Sequence, residues 1–224
     1  MIRRESFLPF TRPMVGDEEI AEMIDSIQSG WITTGPKSAK FEEALAAYNG
    51  APHVMAMNSA TTAQEITMQV MGLQPGDEVI TTSLTWVSTL STIVLQGGVP
   101  VLVDIDPKTL NMNPAKLEAA ITPRTKGIIP VHLTGLPVDM EAVWKVAQKR
   151  HLWVIEDAAQ AMGAHHRGKK IGSDARSAMT VYSFHPNKNM TTGEGGAIAF
   201  HDPHRAHRIQ RLRFGEDLGS RSQI

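Results

Sequence analysis

Three short stretches hold residues whose types could do chemistry together. In "NSATT", Asn58, Ser59, Ala60, Thr61 and Thr62 follow an apolar run and lead into a helical pattern. Small hydroxyl side chains and free backbone N–H groups at a helix N-terminus bind anions, phosphate above all; a serine there also serves as a plain cap. In "EDAAQA", Glu156 and Asp157 emerge from an apolar run into alanines. A carboxylate so placed loses water unless a cation or donor meets it. A protonated ring nitrogen is one such partner, and a helix cap or an ion pair is the other reading. In "SFHPNKNMTTGEGG", Ser183, His185 and Lys188 leave a further apolar run and enter a loop that ends in a glycine-rich turn. Burial lowers the pKa of a lysine and frees its neutral amine as a nucleophile, whereas most lysines are simply solvated. Trp86, after "TTSLT", is either core or a face on which a flat ligand stacks.

Taken singly, each stretch has a purely structural explanation. Taken together, a phosphate cradle, an aromatic face, a carboxylate and an amine are the parts that hold pyridoxal phosphate, with the lysine bound to its aldehyde and the acid facing its ring nitrogen.

These parts need elements that bring them to one place. Apolar runs rich in β-branched residues alternate with helical patterns of about ten residues, the signature of an α/β fold with a mostly parallel sheet flanked by helices. Ligands collect beyond the carboxyl ends of such strands, where all the candidate residues fall. Acidic Asp17, Glu18 and Glu19 open a first helix that carries Ile20, Met23, Ile24 and Ile27 on one face and stops at Gly30. Ser38 is the expected cap of a second, which ends at Gly50. Strands are then expected over 53–57, 79–82, 99–103, 127–131, 152–155, 179–184 and 196–200. Helices fall over 61–71 and 87–96, after Asn113 and Pro114, after a cap at Asp139, and after Asp202 and Pro203. Residues 1–50 read as an N-terminal helical segment and 51–224 as the cofactor-binding large domain; the closing "GEDLGSRSQI" has no folding signal.

Composition excludes several classes of function. The 22 Lys and Arg nearly balance 23 Asp and Glu, so no long-range field draws the chain to nucleic acid or to anionic membranes. The absence of cysteine removes disulfides, thiolate metal sites and thiol nucleophiles, and makes a reducing cytoplasm the default. The opening "MIRRESFLPFTRP" has no apolar run of signal-peptide length. Residues 79–103 carry no charge and could imitate a membrane span, but Gln96, Gly97, Gly98 and Pro100 interrupt them; a strand, a helix and a strand fit better, and no membrane insertion is expected.

Other motifs fail on inspection. "GAHHRGKK", 163–170, approaches a P-loop, but Lys170 stands where Ser or Thr must hold magnesium, and a turn between strands is expected instead. "GEGG", 193–196, stops short of a dinucleotide fingerprint. His165 and His166, or His201, His204 and His207, lack the cysteines or carboxylate cluster of a metal site. Arg205, Arg208, Arg211 and Arg213 read as a solvated or subunit-facing helix surface rather than a nucleic-acid face.

Through "LPFTRP", "SGWITTGPK", "TWVSTL", "AAITPRTKGIIPVHLTG", "VIEDAAQAMGA" and "SFHPNKNMTTGEGG", the sequence resembles the DegT/DnrJ/EryC1/StrS sugar aminotransferases, of the aspartate aminotransferase fold type. Within that family, "SGWITTGPK", "TWVSTL" and "AAITPRTK" are most similar to the UDP-4-amino-4-deoxy-L-arabinose–oxoglutarate aminotransferases of lipid A modification. The resemblance implies that Lys188 is the Schiff-base lysine, Asp157 the partner of the pyridine nitrogen and Gln160 the neighbour of the cofactor's phenolic oxygen. It gives Ser59, Ala60 and Ser183 as phosphate contacts and Trp86 as the stacking aromatic. It further implies amino transfer from glutamate to a nucleotide-linked keto-sugar in cell-surface polysaccharide or lipopolysaccharide synthesis, by a homodimer with active sites at the subunit interface. Sugar dehydratases of the family carry histidine in place of Lys188, so the lysine favours transamination. Family members continue with a smaller C-terminal domain, expected to be absent from this chain, whose alternative role is to bind cofactor or a partner only.

Overall fold

In the computed structural model, which describes residues 6–9 and 11–215, the apolar runs assemble into one seven-stranded sheet. Arg3, Arg4 and Phe10 of the opening stretch and residues 216–224 of the closing one lie outside the described residues. The strands are β1 (His53–Met57), β2 (Glu78–Thr82), β3 (Val99–Val103), β4 (Thr125–Ile128), β5 (Trp153–Asp157), β8 (Met179–Ser183) and β9 (Gly196–Phe200), in the order β1-β9-β8-β5-β4-β2-β3. A two-stranded ribbon, β6 (His165–His166) and β7 (Lys169–Lys170), stands apart. The helices are α1 (Asp17–Gln28), α2 (Pro36–Asn49), α3 (Ala60–Val70), α4 (Ser88–Leu95), α5 (Leu117–Ala120), α6 (Met140–Arg150) and α7 (His204–Arg213).

All pairings from β8 through β3 are parallel, whereas β9 runs antiparallel to both β8 and β1. The mostly parallel α/β reading therefore holds, with one reversed strand. Every residue of β2, β8 and β9 is buried, as expected of strands covered on both faces. One core cluster joins Ile66 and Met68 of α3 and Ile209 of α7 to Ile155, Val181 and Ile198 of the sheet. A second places Val143, Trp144 and Ala147 of α6 against Ile80, Ile128 and Val154. Leu45 of α2 enters a third with Tyr182 and Phe184.

Because β9 is reversed, its first residue lies at the edge where the parallel strands end. Gly196 pairs with Met57 on one side and Ser183 on the other. The segments after β1, β2, β5 and β8 and the start of β9 thus share one rim, and that rim carries the chemistry.

Several expectations are corrected. Pro36 occupies the first turn of α2 behind Gly35, so Ser38 lies inside the helix and caps nothing. The helix after Asn113 is one 3-10 turn, Pro114–Lys116, followed by the single turn of α5. Asp139 sits at the N-cap of α6 without a capping bond. Strand β4 stops at Ile128, with Val131 joined to Asp157 by an isolated bridge, and β5 runs on through Glu156 and Asp157. The apolar stripe of α1 is real, yet the helix buries no residue. The uncharged segment 79–103 resolves into β2, α4 and β3, and among the described residues no helix is long and apolar enough to cross a membrane. "GAHHRGKK" forms the β6–β7 hairpin, in which Arg167 and Gly168 both take positive φ, as a type I′ turn requires.

Candidate active site

The N-terminus of α3 opens onto the rim. Ser59, in extended conformation, caps the helix by accepting the Thr62 N–H at 3.1 Å. The N–H groups of Ala60 and Thr61 are first-turn donors with no acceptor inside the helix. Backbone dipoles and free donors there favour an anion. Serine capping and anion binding are therefore compatible, because the cap takes Thr62 and leaves the two preceding donors.

Gly196 is what lets this helix end meet the sheet. A Cβ on it would lie 2.5 Å from the Ser59 carbonyl carbon and 2.6 Å from the Ala60 nitrogen. Backbone on both sides must move to admit a methyl group. Gly196→Ala is expected to push the α3 N-terminus away from Ser183 and weaken phosphate-anion binding about tenfold, the equivalent of roughly 1.4 kcal/mol. Isothermal titration with pyridoxal phosphate checks it.

Asp157, only 4% exposed, ends β5 beneath this cradle. Its Oδ2 accepts from Gln64 Nε2 at 2.7 Å and Thr89 Oγ1 at 2.8 Å, and its Oδ1 accepts from the Ala159 N–H at 3.1 Å. Among the described residues it neither caps a helix nor joins an ion pair. Its neighbour Glu156 points to the other side, as alternation along a strand demands. There its Oε2 lies 2.9 Å from His132 Nε2.

Lys188 is half-buried, and among the described residues its Nζ makes no hydrogen bond or ion pair. Burial pulls its pKa below the usual lysine value, against a smaller opposing pull from the Asp157 charge. Its backbone is set by a turn in which its N–H donates to the His185 carbonyl at 2.9 Å. The loop folds back because the Thr191 hydroxyl and the Thr192 N–H both reach the Phe184 carbonyl.

The remaining residues close the cavity. Trp86 is 69% exposed, which removes the core-packing explanation and leaves its face open. Gln160 is held through its Oε1 by the Thr134 N–H at 2.7 Å, and Thr134 takes φ 54°, uncommon for a β-branched residue. Ser59, Ala60, Trp86, Asp157, Gln160, Ser183 and Lys188 all line one cavity of about 190 Å³. No residue singled out for cofactor contact falls elsewhere. Gln64, Thr85, His185, Asn187 and Glu194 share the lining. Of these only His185 stands out in the sequence; Gln64, Thr85, Asn187 and Glu194 do not, although Gln64 is a polar residue on the buried face of α3.

The donor set fits pyridoxal phosphate. Anion donors, an acceptor-only carboxylate and an unpaired amine of lowered pKa surround one cavity beside an exposed indole. Rim and sheet together define the α/β fold of pyridoxal-phosphate-dependent aminotransferases. A model of the DegT/DnrJ/EryC1/StrS aminotransferase family matches residues 13–220, and the chain belongs to that family. It is similar to Spr1654 from Streptococcus pneumoniae in its PLP form, a structure bearing a sugar-aminotransferase name: 35% identity over 91% of this chain and 57% of that one, TM-score 0.87. It is 38% identical to S. venezuelae DesV, solved with a ketimine intermediate, over 92% and 55% of the two chains, TM-score 0.84. DesI, solved in the presence of its TDP-sugar product, is 33% identical over 96% and 55%, TM-score 0.87. The chain spans about half the length of these structures.

Proposed function

We propose that this chain is the cofactor-binding part of a sugar aminotransferase that moves an amino group from glutamate to a nucleotide-linked keto-sugar. The observation that carries the reading is the unpaired, half-buried Lys188 amine in the same cavity as Asp157 and the α3 N-terminus. Family membership supports it, as does the TDP-sugar product in whose presence DesI was solved.

When bound, pyridoxal phosphate supplies an aldehyde that an amine can capture and a ring that accepts the electron pair left at the substrate carbon. Ser59, Ala60 and Ser183 would hold its phosphate, and the Trp86 face would cover the ring. Gln160, fixed by Thr134, would stand beside the phenolic oxygen. Asp157 would take the ring N–H and balance its charge. Lys188 Nζ would carry the cofactor and, once released, hold and move the proton taken from the substrate α-carbon; its lowered pKa keeps the neutral form accessible. Glutamate leaves as 2-oxoglutarate and the keto-sugar as the amino-sugar.

The same reading includes a homodimer in the cytoplasm, acting in cell-surface polysaccharide or lipopolysaccharide synthesis, and its motifs resemble those of the UDP-4-amino-4-deoxy-L-arabinose–oxoglutarate aminotransferases. Exposed Ile20, Met23, Ile24 and Ile27 on α1 and Trp31 and Ile32 after it form an apolar surface suited to a second copy. The test is an absorption spectrum of the purified chain with pyridoxal phosphate, before and after glutamate, with light scattering on the same sample. A cofactor band that glutamate converts supports transamination by a dimer. A band that glutamate leaves unchanged favours a chain that binds cofactor only, and the absence of any band rejects the cofactor.

A further inference from the structure

The carboxylate of Asp157 has limited capacity, and most of it is used. Each carboxylate oxygen offers two acceptor positions. Gln64 and Thr89 fill both on Oδ2, while the Ala159 N–H fills one on Oδ1. A single position, on Oδ1, is left for a ligand. The two Oδ2 donors come from different helices, α3 and α4, so the carboxylate is gripped from two elements and its plane is fixed.

The grip extends outward. Thr89 has one hydroxyl proton and gives it to an acceptor-only group, so its oxygen can only accept from Thr85, whose Oγ1 lies 2.9 Å away. Thr85 lines the cavity beside Trp86. The direction of both hydrogen bonds is therefore set: Thr85 to Thr89 to Asp157.

We infer that Gln64 and Thr89 are positioning residues that lock the Asp157 carboxylate so that Oδ1 alone is presented to a protonated ring nitrogen in the cavity, with Thr85 tying the Trp86 segment to the same lock. Gln64 carries a second sign of this task. Its own Oε1 is buried without a partner, so the side chain is held for its donor and not for its acceptor.

The inference rests on the cofactor reading above, and one experiment separates the two. The full chain, Thr89→Val, Thr89→Ser and Gln64→Leu are loaded with pyridoxal phosphate. The visible band is followed against pH, and affinity is measured by titration. Val keeps the shape of Thr without its hydroxyl, Ser restores the hydroxyl, and Leu removes the donor together with the orphan acceptor. Loss of the lock lets the carboxylate rotate, so the ring nitrogen holds its proton less firmly. The pH midpoint at which the band reports loss of that proton should move down by about one unit, and affinity should fall about tenfold, in T89V and Q64L, with T89S near wild type. A merely structural role would lower the melting temperature and leave the midpoint in place. If T89V does not fold, Q64L carries the same measurement. A wild-type band with unchanged midpoints in the variants overturns the positioning role. No wild-type band at all overturns the cofactor reading and the inference with it.

Discussion

Lys188→Ala should reduce to background the borohydride-fixed adduct that the wild-type chain forms with pyridoxal phosphate. Among the described residues Lys188 offers the only amine on the cavity lining, so no neighbour can stand in for it. Mass spectrometry of tryptic peptides after reduction reads the result: the label should sit on Lys188 in wild type and be lost in the variant. Because the same amine would also carry the proton, any amino transfer the chain supports should fall by about 10²–10⁴-fold or more. The pH dependence follows from burial. Nucleophilic capture needs the neutral amine, and burial lowers the pKa of Lys188 below the ordinary lysine value. Adduct formation therefore rises with pH and levels off at a lower pH than it does for an exposed lysine. The Asp157 charge opposes that shift, so Asp157→Asn should move the plateau to still lower pH. Labelling that persists on another lysine in K188A rejects the assignment.

The variant is unlike a core mutation in its cost to folding. Lys188 makes no hydrogen bond or ion pair among the described residues, so the alanine form should keep its melting temperature or gain slightly from losing a half-buried charge. A protein more stable than wild type and empty of adduct is the combined signature expected of a functional lysine.

Such residues were legible in the sequence because they stand at strand ends, and strand ends can be read locally. The runs at 53–57, 99–103 and 196–200 are bounded by turn residues and coincide with β1, β3 and β9. Ser59 and the alanines after Asp157 mark where strands give way to polar rims. What periodicity cannot supply is pairing between distant segments. Nothing in the composition of 196–200 says that this strand runs against its neighbours, yet that reversal is what puts Gly196 between Met57 and Ser183. The Gln64 to Asp157 bond spans 93 residues, and its sequence trace is one glutamine in an otherwise ordinary helix. Ser38 misled because a good capping residue is no cap when Pro36 has already set the first turn. For α1 the apolar stripe is as the sequence pattern gives it while the helix buries no residue, since amphipathicity reports a face that wants cover and cannot say which surface covers it.

The largest stability effect should come from the other side of β5. His132 and Glu156 are 0% and 1% exposed by side chain, and their contact is 2.9 Å. The Val138 N–H donates to His132 Nδ1 at 3.1 Å, which leaves Nε2–H as the donor to Glu156 Oε2. Glu156 Oε1 is buried without a partner, so this single bond is what satisfies the carboxyl group. His132→Ala removes it and orphans the Val138 N–H as well. Two unsatisfied buried groups at about 1–3 kcal/mol each, together with the cavity left by the ring, give a loss of about 3–5 kcal/mol. For a chain of this size that is a fall of about 10 °C in melting temperature. Glu156→Ala should cost less, because it removes the needy group along with its partner's acceptor. If the two side chains act as one unit, the double variant H132A/E156A should be more stable than the sum of the single losses predicts, by about 0.5–3 kcal/mol. Urea denaturation of the four proteins measures this directly. Strict additivity would mean that Glu156 is satisfied by some other group. Coupling has a functional reach too: the His132 backbone N–H also donates to the Asp157 carbonyl at 3.0 Å, so the pair steadies the strand end from which the carboxylate of the candidate site projects. H132A should therefore weaken cofactor affinity even at temperatures where it remains folded, whereas an alanine at an equally buried site on α5, such as Leu117, which has no bond to the Asp157 strand end, should destabilise the fold without that effect.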